Sequence, residues 1–304
     1  GQRIAYSVYS AKSNVWSLPI PTGAPVNTDA AVAVTTGSQI VESMKVSRDG
    51  KWLLYDSDRN GNADIYRVNL GLDAGPSPER LTSEPFDEFA PSLSTDGRYL
   101  AYHSWRTHSR DIEVKPLDGG PVEIVTATPS QESYPEWSPD GRAIAYFDQV
   151  AGDALGTYVV RRGADGKWGT PVRVIPGGAR QSAGARWSPD GLRLAGATQS
   201  GAITLGLPVP GDAKLVYQPG ANDPRAESLA WLGPDVIAFK SHDSQGRAEF
   251  WSISAAGGRP HRRVHFADPQ RPSNRPDFDA DGKRFYFSIE DRQSDVWVAE
   301  VIKK

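Results

Sequence analysis

Stretches in which apolar and polar residues alternate recur along the whole chain, and most of them end at an Asp-Gly pair. The clearest copy runs from Tyr134 to Asp148 and reads YPEWSPDGRAIAYFD. Short alternation is typical of a β-strand with one buried face, and Asp-Gly marks a tight turn because Gly accepts positive φ. The pair stands at Asp49-Gly50, Asp96-Gly97, Asp140-Gly141, Asp190-Gly191 and Asp281-Gly282, with a degenerate copy at Asp235. Successive copies lie 44 to 50 residues apart, which indicates a repeat architecture.

Each repeat predicts four antiparallel strands. After the turn comes a second apolar strand, such as WLLYDS or YLAYHS, and then a third, such as ADIYRVNL or AEFWSISA. A shorter fourth strand, such as VEIVT or VRVIP, closes most copies. Four such strands in every ~40–50 residues form one blade of a β-propeller. The sequence therefore predicts an all-β fold in which residues 1–304 form a single propeller domain.

The number of blades depends on how the two ends of the chain are counted. Seven second strands and seven third strands can be read, 26 strands in total, whereas six complete blades need 24. We therefore expect seven blades, with a six-bladed ring that has one merged terminal blade as the alternative. The expected blades are residues 1–36, 41–82, 88–126, 132–176, 182–219, 227–266 and 273–301.

The first residues of the chain match the middle of a repeat. Tyr6 follows Gly1 by five residues, the same interval that separates Tyr55 from Gly50. Gly1 therefore corresponds to the Gly of a turn whose first strand is missing. We expect the chain to begin inside a repeat and to be a portion of a longer protein.

The repeats resemble those of TolB-like propellers, the periplasmic relatives of WD-type repeats. The resemblance rests on WSPDGRAIAYFD and YDSDRNGNADIYRVNL and extends over nearly the whole chain. It implies a TolB-like propeller. Similar repeats form the partner-binding part of TolB and the sensory ends of bacterial membrane-anchored kinases and winged-helix regulators. The resemblance therefore implies a non-enzymatic binding or sensor module of a larger bacterial protein, although a fold alone does not fix a function.

Composition narrows the choice of partners. A net charge of −3 argues against a nucleic-acid-binding face, and no apolar run approaches the length of a membrane span. We expect no nucleic-acid partner, no membrane insertion by this segment, and a monomer. The chain has no Cys, which excludes disulfides and thiolate chemistry. This is compatible with a periplasmic or extracellular location, as the resemblance implies, and also with the cytoplasm.

One ring of polar segments is the candidate binding site for a protein or peptide ligand. A short polar segment precedes each first strand, and first strands line the central channel of a propeller, so these segments should surround one mouth of that channel. The predicted mouth residues are Glu42, Glu88, Phe89, Glu132, Tyr134, Gln181, Glu227 and Arg275. Four carboxylates at one opening favour a cation or a basic peptide. The alternative is that these residues only solvate loop ends and cap backbone groups.

Two enzymatic alternatives stay open. Some polysaccharide lyases place His and a metal on a propeller, so a uronate lyase would need His103 or His242 to face the channel. Propellers also gate prolyl-peptidase-type hydrolases, but this chain has no Gly-x-Ser-x-Gly nucleophile elbow, so such a hydrolase would lie outside it. We predict no catalytic residue and no metal ligand within the chain.

A calcium loop is the strongest cofactor motif. Asp56, Asp58 and Asn60 are followed by Gly61, which matches the opening of a calcium-binding loop. The twelfth position is Arg67 where that loop has Glu, and no helix is predicted on either side. We therefore expect no cofactor, with a structural cation such as calcium as the alternative.

Overall fold

The protein consists of β-strands joined by turns and loops. A computed structural model describes residues 2–71, 77–106, 108–149, 155–176, 184–211 and 213–301. Within these ranges there are 24 strands and no helix, and hence no helix able to cross a membrane. In chain order the strands are β1 (Gln2–Pro19), β2 (Val32–Ala33), β3 (Met44–Val46), β4 (Trp52–Ser57), β5 (Asp64–Asn69), β6 (Glu79–Arg80), β7 (Glu88–Leu93), β8 (Tyr99–Ser104), β9 (Asp111–Pro116), β10 (Glu123–Ile124), β11 (Glu132–Trp137), β12 (Ala143–Asp148), β13 (Gly156–Arg161), β14 (Val172–Pro176), β15 (Arg186–Trp187), β16 (Leu194–Ala197), β17 (Ile203–Gly206), β18 (Lys214–Tyr217), β19 (Ser228–Gly233), β20 (Val236–His242), β21 (Ala248–Ser254), β22 (His261–His265), β23 (Phe278–Ala280) and β24 (Arg284–Val301).

The strands form six four-stranded antiparallel sheets, which are the blades of a propeller. Blade 1 contains β3–β6, blade 2 β7–β10, blade 3 β11–β14, blade 4 β15–β18 and blade 5 β19–β22. The terminal blade contains β23, β24, β1 and β2 in that spatial order. The predicted all-β propeller is confirmed. The expectation of seven blades was wrong, and the six-bladed alternative with a merged terminal blade is observed.

Two long strands of the terminal blade explain the wrong count. β1 and β24 are each continuous over 18 residues and pair from Gln2↔Val301 to Pro19↔Arg284. The sequence pattern divided each of them into a second and a third strand, because a polar interruption such as residues 290–293 resembles a turn. Joining both pairs reduces 26 strands to 24 and merges the first and last predicted blades. The N-terminal and C-terminal segments thus close the ring by pairing with each other.

The Asp-Gly turns form as predicted, and a shared side-chain network stabilises them. In blade 3, Asp140 accepts hydrogen bonds from Arg142 N (3.0 Å) and from the Ser138 hydroxyl, while Ser138 Oγ accepts one from Ala143 N (2.9 Å). Gly141 has a φ of 67°, a conformation that Gly adopts without steric cost. The same network recurs in blades 1, 2 and 4, around Asp49, Asp96 and Asp190. We call this end of the central channel the turn end.

Apolar side chains are buried between neighbouring blades. The described residues contain six clusters of buried apolar side chains, and each cluster joins two adjacent blades. Between blades 2 and 3, Trp137 packs with Val114 and Tyr146. Every junction of the ring, including the one between the terminal blade and blade 1, therefore has its own core. Removal of this apolar surface from water is the main force that holds the blades together.

Candidate functional site

An open cavity of about 890 Å³ lies at the end of the channel opposite the turn end, where the first strands of the blades begin. We call this cavity the mouth. It is lined by Glu42, Ser43, Phe89, His103, Trp105, Arg110, Tyr134, Gln199, Glu227, Arg275 and Pro276. Its volume is within the range of pockets that hold a small ligand or a few side chains of a peptide.

Most of the predicted mouth residues do line this cavity. Five of the eight are found there, namely Glu42, Phe89, Tyr134, Glu227 and Arg275. The predicted placement is wrong for Glu88 and Glu132, whose side chains are fully buried and do not line the cavity. Gln181 lies outside the described residues.

The side chains of Glu88 and Glu132 are buried and point away from the cavity. Adjacent residues of a strand point to opposite faces, so when Phe89 faces the mouth its neighbour Glu88 cannot. Burial raises the pKa of Glu88 to about 7, and the carboxylates of Asp64 and Glu113 add to this shift. Burial also raises the pKa of Glu132, although the nearby Thr128 and Ser130 hydroxyls oppose the shift.

A β-bulge aims Tyr134 at the mouth. The register between β11 and β12 shifts between Ser133 and Glu136, and Tyr134, inside this bulge, has a φ of 55°. Ala90 occupies the corresponding bulge of β7 with a φ of 54°. Left-handed conformations are uncommon for residues other than Gly, and bulges often re-aim a side chain next to a functional site. The bulge breaks the alternation of faces, so Tyr134 lines the mouth although Glu132, two residues earlier, is buried.

The side of the mouth formed by blades 2 and 3 is aromatic. The His103 ring lies between Phe89 and Tyr134, with centroid distances of 5.7 Å to each. Trp105 extends this surface and is 42% exposed, and the Arg110 guanidinium lies 5.5 Å from its ring centroid. Burial, together with the nearby charge of Arg110, lowers the pKa of His103 to about 3. The aromatic side is therefore uncharged at ordinary pH apart from Arg110.

The facing side, formed by blades 1 and 5 and the terminal blade, is charged. Arg275 Nη1 lies 3.1 Å from Glu42 Oε1, and Glu227 Oε2 lies 3.0 Å from His242 Nδ1. His242 stands behind Glu227 and does not line the cavity. The side chains of Arg275 and Glu42 are 36% and 46% exposed, so solvent weakens their attraction. Both groups can therefore exchange this contact for one with a ligand.

Six lining residues were absent from the predicted mouth. Ser43 and Pro276 are chain neighbours of the predicted Glu42 and Arg275, and the other four come from a different part of their blades. These four are His103, Trp105, Arg110 and Gln199, and all of them lie where a second strand ends or a third strand is about to begin. In an antiparallel blade, the connection between the second and third strands opens at the same end as the start of the first strand. The order of strands would therefore have predicted these four residues, whereas the polar segments before the first strands could not.

A network of buried charges, which we call the waist, lies along the first strands between the mouth and the turn end. Arg186 pairs with Asp277 at 2.7 Å and with Glu136 at 3.6 Å. Lys45 approaches Glu136 at 3.2 Å and Asp279 at 3.8 Å. Burial alone would lower the pKa of Arg186, but the carboxylates of Asp277 and Glu136 outweigh it and raise that pKa. Lys45, Glu136, Arg186 and Asp279 of the waist also line a smaller cavity of about 400 Å³ at the turn end.

Asp277 and Asp279 of the waist also fasten the junction that closes the ring. Asp277 Oδ2 accepts a hydrogen bond from Met44 N (3.1 Å), and Asp279 Oδ2 accepts one from Val46 N (2.8 Å). The two carboxylates thus bind the terminal blade to the first strand of blade 1. Carboxylate–amide hydrogen bonds are stronger than neutral ones, so this junction has both an apolar core and a charged clasp.

The carboxylates that could hold a metal ion already have partners. The described part of the chain brings three metal-ligating side chains together once, at Asp243, Glu249 and His265 in blade 5, away from the mouth. Asp243 pairs there with Arg247 at 2.8 Å, and Glu249 pairs with Arg262 at 2.9 Å.

In the calcium-like segment, backbone N–H groups occupy the carboxylates. Asp56 accepts hydrogen bonds from Glu42 N and Ser43 N, and Asp58 accepts one from Ile40 N. A cation would need the same oxygen atoms.

Comparisons with known proteins agree with the propeller fold. A family model described as the TolB beta propeller domain matches residues 24–191, which is more than half of the chain. A protein of Agrobacterium fabrum, itself described as uncharacterized, is 28% identical over 118 residues. That match covers 36% of this chain and 37% of the relative, so the chain spans little more than a third of the length of that protein.

Solved propellers superpose over most of the chain. A putative TolB from Agrobacterium tumefaciens is 20% identical with a TM-score of 0.68, covering 92% of this chain and 99% of that one. TolB from Acinetobacter baumannii is 17% identical with a TM-score of 0.59, covering 93% and 65%. An oligogalacturonate lyase from Vibrio parahaemolyticus is 11% identical with a TM-score of 0.53, covering 91% and 98%. At these identities the likeness shows the fold alone.

Proposed function

This chain belongs to the TolB beta-propeller domain family, and from that premise we propose that it is a non-enzymatic module that binds a protein or peptide segment in the mouth. The observation that carries the proposal is the make-up of the mouth, which joins an aromatic side to a charged side at one end of a closed ring. Peptide sites combine a pocket for an apolar anchor with a few polar groups that fix orientation. The mouth offers both.

The charges of the mouth change the ligand that we propose. Of the four carboxylates predicted to favour a basic peptide, only Glu42 and Glu227 line the cavity. Arg110 and Arg275 line it as well and balance them. The preferred ligand is therefore a segment with an aromatic or large apolar anchor for the surface around Trp105, flanked by polar or charged groups of either sign.

The wider context is a further part of the proposal, and family membership supports it. We propose that the module acts outside the cytoplasm as part of a larger bacterial protein, as a monomer and without a cofactor, nucleic acid or membrane insertion. Two structural relatives that carry the name TolB come from bacteria, which supports this context. Size-exclusion chromatography with light scattering tests the monomer, and fractionation of cells tests the location.

The lyase alternative has one observation in its favour, because His103 lines the mouth beside Arg110. A catalytic base works best with a pKa near the operating pH, and burial lowers the pKa of His103 to about 3. His103 Nδ1 also accepts a long hydrogen bond from Tyr134 N at 3.5 Å. We therefore favour binding, and we expect no unsaturated product when the purified protein is incubated with oligogalacturonate.

The proposal is tested by selecting random linear peptides on phage against the immobilised protein and measuring the affinity of a selected peptide for variants. We expect Trp105→Ala and Tyr134→Ala to weaken binding by about tenfold or more, because truncation of an aromatic anchor typically costs over 1 kcal/mol. Leu192→Ala is the matched control, since Leu192 is 65% exposed but follows the Asp190-Gly191 turn at the other end of the channel. Failure to select any peptide, or equal affinity for all three variants, contradicts the proposal.

A further inference from the structure

Three buried ionisable side chains, one in the lining of the mouth and two beneath it, occupy equivalent places in their blades. Asp56, His103 and Lys240 each follow the aromatic residue of a second strand, and none is more than 4% exposed. In the other three blades the equivalent residues are Phe147, Ala197 and Ser288. The propeller therefore does not need an ionisable group at this position. Buried ionisable groups that the fold does not require are candidates for a functional role.

Asp56 holds the segment that carries Glu42. Its carboxylate accepts hydrogen bonds from Glu42 N (2.6 Å), from Ser43 N (3.0 Å) and from the Ser43 hydroxyl. Ser43 Oγ in turn accepts a hydrogen bond from Ala90 N at 2.8 Å, which links blade 1 to the bulge of blade 2. Because both Glu42 and Ser43 line the mouth, the position of this part of its rim depends on Asp56.

Lys240 holds the segment that carries Arg275. Its Nζ donates hydrogen bonds to Ser273 Oγ (2.7 Å) and to the backbone oxygen of Arg275 (2.5 Å). The carboxylates that act on this ammonium group are those of Glu227, Asp277 and Glu290. Lys240 and Asp56 thus fix the backbone on which the two members of the Glu42–Arg275 ion pair stand.

We propose that Asp56 and Lys240 are positioning residues of the mouth, which hold the segments bearing Glu42 and Arg275 and make binding there depend on pH. The binding part of this inference rests on the proposed function, whereas the positioning part does not. His103 is the uncharged third member of the set, held near Tyr134 N in the same way.

The pKa values of Asp56 and Lys240 determine over which pH range the charge beneath the mouth changes, and in which direction. Burial raises the pKa of Asp56 to about 7, and the carboxylates of Glu42 and Asp277 add to the shift while the hydrogen bonds from Ser43 and Glu42 N oppose it. Burial lowers the pKa of Lys240 to about 7 against the attraction of its three carboxylate neighbours. Both groups therefore lose a proton over the same range, and the charge that they place beneath the mouth changes from +1 to −1 as the pH rises.

Asp56 and Lys240 change the stability of the folded state in opposite directions as the pH rises. Their contributions can therefore be measured separately. The pKa of Asp56 is higher in the folded state than in the unfolded chain, so its contribution to stability falls as the pH rises through about 7. The pKa of Lys240 is lower in the folded state, so its contribution rises with pH above about 7. Subtracting the pH profile of Asp56→Asn or of Lys240→Met from that of the wild-type protein should show these two slopes.

The first test uses the wild-type protein without a ligand. The backbone amide resonances of Glu42, Ser43 and Arg275 are followed by NMR from about pH 5 to about pH 9, and we expect them to shift with a midpoint near 7. Asp56→Asn should remove the titration at Glu42 and Ser43 and leave that of Arg275, whereas Lys240→Met should do the reverse. Flat profiles for all three amides of the wild-type protein would overturn the inference, even if neither variant folds.

The second test measures the affinity of the phage-selected peptide at about pH 6 and about pH 8. A two-unit change of charge beneath the site should alter affinity by roughly three- to tenfold, with a basic peptide bound more tightly at the higher pH and an acidic one at the lower. The Asp56→Asn, Lys240→Met double variant should reduce this difference to less than about twofold. Titrating amides in a protein that binds no peptide would refute the proposed function and leave the positioning role in place. A peptide that binds the wild-type protein equally at both pH values would refute the pH dependence alone.

Discussion

At the turn end of the channel, four blades repeat one network in which a Ser and an Asp fix an Asp-Gly turn, whereas at the mouth the equivalent positions differ from blade to blade. Three residues before the last residue of the first strand stand Ser43, Ala90 and Tyr134 in blades 1, 2 and 3. What the blades share is what the fold requires of each of them. Positions at which the blades differ are not needed for the fold and can bind a ligand. These positions lie at the mouth.

The waist separates these two ends, and breaking it should have the largest effect. Arg186→Met leaves the carboxylates of Glu136 and Asp277 buried without their guanidinium partner. Loss of one member of a buried ion pair costs about 3–5 kcal/mol of unfolding free energy. Urea denaturation measures this cost, with the exposed Arg48→Met at the turn end as the control. A loss below about 1 kcal/mol would mean that the waist is not a tightly coupled network.

The buried carboxylate Glu88 should give the next largest effect, and one that depends on pH. The folded protein holds a proton on Glu88 up to about pH 7, whereas the unfolded chain releases it near its ordinary pKa. Relative to Glu88→Gln, the wild-type protein should lose roughly 1–3 kcal/mol as the pH rises from about 4 to about 7. Glu42→Gln, which removes a carboxyl group from the open mouth, is the matched control. Identical pH profiles for the two substitutions would contradict the distinction between buried and lining carboxylates.

Removing the Asp of one Asp-Gly turn should lower the unfolding free energy by less than the two changes above. Asp140→Ala removes the acceptor for Arg142 N and for the Ser138 hydroxyl. Two such hydrogen bonds are worth about 1–2 kcal/mol in total. Thermal denaturation checks the loss of stability, and the affinity for a selected peptide should not change. A fall in affinity without loss of stability would mean that the peptide binds at the turn end, contrary to the proposal that it binds at the mouth.

The smallest effect on stability should come from the mouth itself. Trp105→Ala removes a side chain that is 42% exposed, and we expect the unfolding free energy to stay within about 0.5 kcal/mol of the wild-type value. The same substitution is expected to impair peptide binding. A large destabilisation would show that Trp105 belongs to the core of the ring and is not available to a ligand.

The repeated end of the molecule was predictable from sequence, and the ring closure was not. Asp-Gly at a regular spacing gives the turns, because these residue types carry their own local geometry. The blade count failed at residues 290–293, where a polar stretch continues a strand. Pairing with Gln2–Pro19 decides that outcome, and no local pattern of residues contains such a long-range contact.

The sequence predicted where the mouth lies, but it predicted only some of the residues that line it. The segments before the first strands do surround it, but alternation would put Glu132 and Tyr134 on the same face. The bulge at Tyr134 breaks this pattern, and the left-handed backbone conformation of Tyr134 could not be predicted from the sequence. A calcium site at Asp56 was the alternative to a structural role, because sequence shows the oxygen atoms without the Glu42 and Ser43 N–H groups that occupy them.

The most direct test of binding at the mouth is a map of the backbone amides that shift when a selected peptide is added to the labelled protein. We predict that the affected amides surround the mouth, at Phe89, Trp105, Tyr134, Glu227 and Arg275, and that those of Gly50, Gly97 and Gly141 at the turn end stay in place. Shifts at the turn-end glycines, with the mouth unaffected, would contradict the account.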